Sequence, residues 1–200
     1  MKKLFVVGGM GAGKSTVRKV LVEQGLPFID LDQVGHDVLH WDTVKEEMVE
    51  AFGSDILGED GEIMRPAVAA KAFTTPADTR KLNRITMPRI EEAYVEIIED
   101  LKREGHQAVV VEHSVFKNRQ SSVAYDADVV IAVLAPIDMR IERAVKSGWE
   151  EDDVRRRIAR QITDAERIEA ADVVFNNDGT PEELRNKVLA WWSEYKVTLG

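Results

Sequence analysis

The stretch Gly8-Gly9-Met10-Gly11-Ala12-Gly13-Lys14-Ser15-Thr16 constrains this chain more than any other. It satisfies G-x-x-x-x-G-K-[ST] from Gly8 to Ser15, between an apolar run, Leu4 to Val7, and a helix-competent segment, Ser15 to Gln24. A glycine-rich loop placed so leaves backbone N–H groups converging on one point, and the next helix aims its positive end there too. The arrangement suits the phosphates of ATP. Gly8, Gly11, Ala12 and Gly13 shape the cradle, Lys14 reaches the β- and γ-phosphates, the Ser15 hydroxyl ligates Mg²⁺, and Thr16 supports the first helical turn. The competing reading, an ordinary strand-to-helix turn, needs one glycine and has no use for a lysine.

What else the chain can be is bounded by its composition. At 200 residues with 44% hydrophobic side chains it can fold as one domain carrying a substantial insertion. A formal net charge of -9 argues against broad attraction to nucleic acid or an anionic membrane, so any bound phosphate must be held locally. With no cysteine there are no disulfides and no thiolate metal sites. No apolar run approaches the length of about 18 residues that a membrane span needs, and the opening Met-Lys-Lys-Leu-Phe-Val-Val is too short for a signal peptide. A cytoplasmic protein is expected; the sequence does not report its oligomeric state.

In chain order, Leu4 to Val7 reads as a central parallel strand, and Pro27 to Asp30 as a second after the helix that stops at Gly25. Asp30 and Asp32 sit at the carboxyl end of that strand, where open α/β sheets bind ligands, and strand alternation would turn them to one side. A carboxylate there can orient Mg²⁺ through water or accept a proton from an attacking hydroxyl; the alternative is a helix N-cap before Gln33. The next 70 residues, Gln33 to Lys102, are helical in pattern, with a turn at Asp60-Gly61, a helix opening at Pro66, and a long helix interrupted at Pro88. That is too much for one crossover and implies a helical subdomain that could hold a second substrate.

Gln107 to Glu112, Ala127 to Ala135 and Asp172 to Phe175 supply three more strands. Glu112 is either a group behind a metal or a polar strand end. His113 beside it reads as a hydrogen-bonded or surface residue. Pro136 to Lys146 and Glu151 to Glu169 read as two helices broken at Ser147-Gly148. This hairpin holds eight Lys/Arg between Arg140 and Arg167 against seven acids, which fits a solvated face; yet Arg157, Gln161 and Asp164 form one stripe and Arg156, Arg160 and Arg167 another. An inward stripe would make the hairpin an arginine-bearing lid over a transferring phosphoryl group. Pro181 opens the last helix, where Trp191, Trp192 and Tyr195 read as packing residues.

Taken together, GGMGAGKST, IDLDQVGHDVL after the second strand, FGSDILGEDGEIMRPAVAAKAF with its D-G-x-x-x-R, and RRRIARQ followed by ADVVFNNDG resemble the dephospho-CoA kinase family over nearly the whole length. The resemblance implies an α/β P-loop nucleotide-kinase-like core with a five-stranded parallel sheet (1–32, 105–135 and 170–200), a helical CoA-binding insertion (33–104) and a helical lid (136–169). It implies ATP-dependent phosphorylation of the ribose 3′-hydroxyl of dephospho-CoA, the last step of coenzyme A synthesis. Lys14, Asp32 and Arg157 would be catalytic, Asp32 taking the hydroxyl proton. Arg65 would bind substrate, Arg157 and Gln161 match the lid pattern R-x-x-x-Q, and Asn177 would lie near adenine. Three positions depart from the family: Met87-Pro88 for the usual His-Pro, His113 to Lys117 for P-L-L-F-E, and Lys146-Ser147 for Arg-Asp or Arg-Asn, leaving Lys146 as the cation there. A nucleoside or nucleoside monophosphate acceptor, or a regulatory nucleotide binder without transfer, stand as alternatives.

Overall fold

The computed structural model describes residues 1–120 and 122–199. Five strands, β1 (Lys2–Gly8), β2 (Phe28–Asp30), β3 (Ala108–Glu112), β4 (Val129–Leu134) and β5 (Val173–Asn176), pair in parallel in the order β2-β3-β1-β4-β5. β1 can be central because its stretch after Lys3 is apolar: Leu4, Phe5, Val6 and Val7 are completely buried, as a strand covered on both faces requires. Its register, Val6 beside Glu112 and Gly8 beside Val133, brings the carboxyl ends of β1, β3 and β4 to one edge. Below that edge, Leu4, Val6, Val110, Ile131 and Val133 pack with Val17 and Leu21 of α1 (Lys14–Glu23) and with Leu184, Val188 and Trp192 of α9 (Pro181–Tyr195). Trp191 stacks on Tyr195 at 5.0 Å and meets Phe175 edge-on, so these aromatics are core.

The chain divides into two compact units, residues 1–30 with 100–200, and residues 31–99. The second contains α2 (Leu31–Asp37), α3 (Asp42–Phe52), α4 (Arg65–Ala72) and most of α5 (Pro76–Arg103), around a core of Val44, Met48, Phe52, Ile56, Val68 and Ala72. Within it the Asp60-Gly61 turn folds back, Gly58 N–H donating to Glu62 O at 2.8 Å. Lys45 Nζ and His40 Nδ1 hold the Glu62 carboxylate at 2.5 and 2.6 Å. The turn leads into α4, whose first residue is Arg65.

Three sequence expectations need correction. The long helix is not interrupted at Pro88: α5 runs through it, and the turns around the proline bury Thr86, Tyr94 and Ile98, burial that offsets the lost backbone bond. The segment from Glu151 to Glu169 is two helices, α7 (Glu151–Ala159) and α8 (Asp164–Ala170), because Thr163 and Glu166 form a capping box that starts a new helix. The strand before Asp32 stops at Asp30, and Asp32 lies in the first turn of α2, whose Leu31 and Val34 are buried at i,i+3. Strand alternation therefore does not align Asp30 with Asp32, nor does Asp32 cap a helix beginning at Gln33. The other strand ends shift by a residue or two. Among the described residues no helix is long and apolar enough to cross a membrane.

Candidate active site

β1 delivers the loop 9–13 to the sheet edge. Gly11 and Gly13 have φ of 72° and 105°, and a Cβ on Gly13 would run into the Asn177 amide, so this turn accepts only glycine there. Gly13 is also the N-cap of α1 and makes no side-chain capping bond, whereas α8 and α9 both carry capping boxes. Thr16 and Val17 N–H both turn back onto Gly13 O, at 3.0 and 3.3 Å, and the positive end of the α1 dipole points at the loop. Lys14 Nζ lies across the loop, donating to Gly8 O at 3.0 Å and Gly9 O at 3.4 Å. From β5, Asn177 ties down the far side: its Nδ2 donates to Ala12 O at 2.8 Å and its N–H to Leu134 O at 2.7 Å.

A cavity of about 410 Å³ opens above the loop. Gly11, Gly13, Lys14, Ser15 and Thr16 line its floor, and Arg143, Ser147 and Trp149 one wall, with Arg143 from α6 (Ile137–Lys146). Asn177 and Pro181 line it as well. Arg143 places Nη2 3.5 Å from Asn177 Oδ1, while its Nη1 is buried with no hydrogen-bond partner among the described residues. A buried guanidinium nitrogen without an acceptor, in a cavity that also holds Lys14, fits an anionic ligand. The residues fit a triphosphate with its Mg²⁺ for a second reason. Ser15 is exposed and lines the cavity, so its hydroxyl offers one side-chain oxygen to the ion. Magnesium bound by one side-chain oxygen relies on phosphate oxygens and water for its other ligands.

The structure gathers Gly11, Gly13, Lys14, Ser15, Thr16 and Asn177 on this cavity. Gly8 and Ala12 are buried behind it, as the last residue of β1 and the carbonyl on Asn177. Arg157 is exposed on α7 and stacks 4.6 Å from the centre of the Trp149 ring. Its stripe does not continue as expected, since the chain breaks between α7 and α8; Arg167 is buried against Asp164 and Arg156 pairs with Asp153. Asp32 and Arg65 are exposed residues of the 31–99 unit. Nor is Lys146 the cation α6 offers to the cavity: it pairs with Glu142 at 2.6 Å, and Arg143 is the one that lines it.

Sequence reading missed Arg140, Arg143 and Trp149. One signal was available for the arginines, which share the 140–144 segment of α6 with the buried Ile141 and Ala144. Arg140 is 3% exposed and Arg143 half-buried, positions an arginine takes only for a partner or a ligand. Glu112 turns toward Arg18, 3.5 Å away, and His113 is buried edge-on between Phe5 and Phe116, so neither belongs to the cavity lining.

A phosphate loop rising from the middle strand of this parallel sheet is the plan of the P-loop kinases. A solved structure from Thermus thermophilus, 25% identical, matches with a TM-score of 0.81 over 96% of this chain and 97% of that one. A dephospho-CoA kinase from Campylobacter jejuni has the same fold, with a TM-score of 0.73 over 98% of both chains at 22% identity. The family model for dephospho-CoA kinase matches residues 4–183, and the dephospho-CoA kinase of Corynebacterium efficiens is 41% identical over 187 residues, 92% of each chain. The chain belongs to the dephospho-CoA kinase family, and so to the phosphate-transferring kinases.

Proposed function

We propose that this protein transfers the γ-phosphoryl group of ATP to the ribose 3′-hydroxyl of dephospho-CoA in the cytoplasm, completing coenzyme A. The observation that carries the reading is an intact phosphate loop on a cavity lined by Lys14 and Arg143, inside a chain that matches the family from residue 4 to 183. In the transfer the bond from the γ-phosphorus to its bridging oxygen breaks, one from the acceptor oxygen forms, and the hydroxyl proton passes to a carboxylate. Asp32 carries over from the family motif as that carboxylate, and Arg65 as a substrate contact. Lys14 exchanges the carbonyls of Gly8 and Gly9 for the β- and γ-phosphates, and Arg143 and Arg157 neutralise charge as it spreads over the oxygens. Asn177 keeps the loop in shape and carries over from the family motif as the residue near adenine. Ser15 Oγ would hold Mg²⁺, which would supply neutralisation of the phosphate charge.

A panel of acceptors incubated with ATP and Mg²⁺ tests this. Turnover with dephospho-CoA well above that with nucleosides or nucleoside monophosphates is expected. Preference for a nucleoside would replace the acceptor, and tight ATP binding with no turnover on any acceptor would leave only a nucleotide-binding protein.

A further inference from the structure

The crest of the phosphate loop is clamped from above. Met10 N–H donates to Gln161 Oε1 at 3.0 Å, and Met10 O accepts from Arg140 Nε at 3.0 Å. Arg140 Nη2 closes the ring by donating to the same Gln161 oxygen at 3.2 Å. Met10 packs against the cluster of Ile141, Ala144 and Val154, so the helical hairpin grips one loop residue by its backbone and its side chain. Gly9 is part of the fit, because a Cβ there would collide with the Arg140 guanidinium.

The charges of this clamp do not balance. Arg140 and Arg167 are 3% and 4% exposed, and among the described residues the salt bridges of both go to Asp164, at 3.7 and 2.7 Å from its Oδ1. Glu166 also acts on Arg167 but is exposed and bonded to Thr163, so of the groups packed at the clamp two buried guanidinium groups share the one half-buried carboxylate of Asp164. Uncompensated buried charge is costly, and the chain has an inexpensive remedy, since a glutamate in place of Gln161 would fit the same space and supply the missing charge. Burial holds the Arg140 guanidinium below its ordinary pKa, with Asp164 opposing the shift and Arg167 adding to it.

We infer that Arg140 is a positioning residue for phosphate binding: with Gln161 it presets the loop at Met10, and its unbalanced charge is kept for the anion that the loop receives. The inference rests on reading 8–15 as a phosphate site. It also assigns Gln161 a reason to be neutral, since the amide oxygen accepts both bonds without cancelling the charge.

Gln161→Glu tests it, because the carboxylate can accept the same two bonds and changes only the charge. Binding of Mg-ATP, inorganic tripolyphosphate and adenosine is measured by calorimetry, and the melting temperature is taken without ligand. The variant should melt at or above the wild-type temperature yet bind Mg-ATP and tripolyphosphate about tenfold or more weakly, the size of change one nearby charge makes in a partly buried site, with adenosine unaffected. Arg140→Met should weaken the same two ligands and spare adenosine; if it fails to fold, Gln161→Glu decides alone. A folded Gln161→Glu protein that binds Mg-ATP as the wild type does overturns the inference. A wild-type chain that binds neither ATP nor tripolyphosphate removes the phosphate-site reading, and the inference with it.

Discussion

The Arg157 guanidinium stacks on the Trp149 ring, 4.6 Å from its centre, with Trp149 itself lining the phosphate-loop cavity. A cation on an aromatic face is held by about 0.5–2 kcal/mol, little enough for an anionic ligand to draw it away. Arg157→Ala should therefore lower the turnover number far more than ATP affinity, by roughly 10³ if the side chain reaches the transferring group. Arg155 is exposed on the same helix and bonded to Glu151 at 2.7 and 2.9 Å, so Arg155→Ala should change neither. Steady-state kinetics of the two variants check this, and Trp149 emission, isolated by subtracting a Trp149→Phe protein, should shift when ATP and acceptor are both present. Equal, small kinetic effects would return the cluster to a solvated face.

Asp32→Asn should reduce turnover by roughly 10² to 10⁴, the usual worth of a positioned base, while the ATP dissociation constant stays near the wild-type value. Its place in the first turn of α2 contributes only about 0.3–1 kcal/mol through the helix dipole. Thermal melting beside single-turnover kinetics separates the two roles. A lowered melting temperature with unchanged turnover would make Asp32 a helix-end residue only.

The phosphate loop and the five strands were legible in the sequence because each depends on a few neighbouring residues: a glycine pattern, an apolar run, a stop. The break between α7 and α8 was missed, because the run of helix-favouring residues across it hid the capping box of Thr163 and Glu166. Arg140 and Arg143 sit among the apolar Ile141 and Ala144, a signal that marks an inward segment but does not say what it faces. Which face of α6 is turned toward the loop is decided by packing of Met10 against Ile141 and Val154, contacts more than a hundred residues apart in the chain. Pro88 misled because local backbone chemistry argues for a break, and burial along α5 overrides it.

Removing the Asn177 amide should loosen the loop. Asn177 is 6% exposed and bonds Ala12 O, so Asn177→Ala leaves a buried carbonyl without its donor and should cost about 1–3 kcal/mol of stability. Urea unfolding measures that loss, and ATP affinity should fall with it, since the loop loses its brace on the α9 side. An unaltered unfolding midpoint would mean that Leu184 and Val188 alone hold the loop's support.

Acid should act through Asp128 at the start of β4. Burial works against its carboxylate, but Lys2 Nζ and the Lys3 N–H, each 2.9 Å away, together outweigh it and hold the folded pKa below the ordinary value. A lowered carboxylate pKa adds stability that is present above the unfolded pKa, about 3.9, and is lost as pH falls through the folded one. Asp128→Asn should thus be less stable than wild type at pH 7, and the gap should close below about pH 4. Unfolding midpoints across that range read it directly; a gap independent of pH would remove the ion pair from the account.

The central claim is that the loop at Lys14 delivers a phosphoryl group to the ribose of dephospho-CoA. The most direct measurement is product analysis after incubating the protein with ATP, Mg²⁺ and dephospho-CoA, with phosphorus NMR locating the added group, run in parallel on wild type and on a folded Lys14→Ala protein. The account predicts a new phosphomonoester on the 3′-oxygen and one ADP released per product for wild type, and no product from Lys14→Ala. A phosphoryl group found elsewhere, or wild-type turnover by Lys14→Ala, would contradict it.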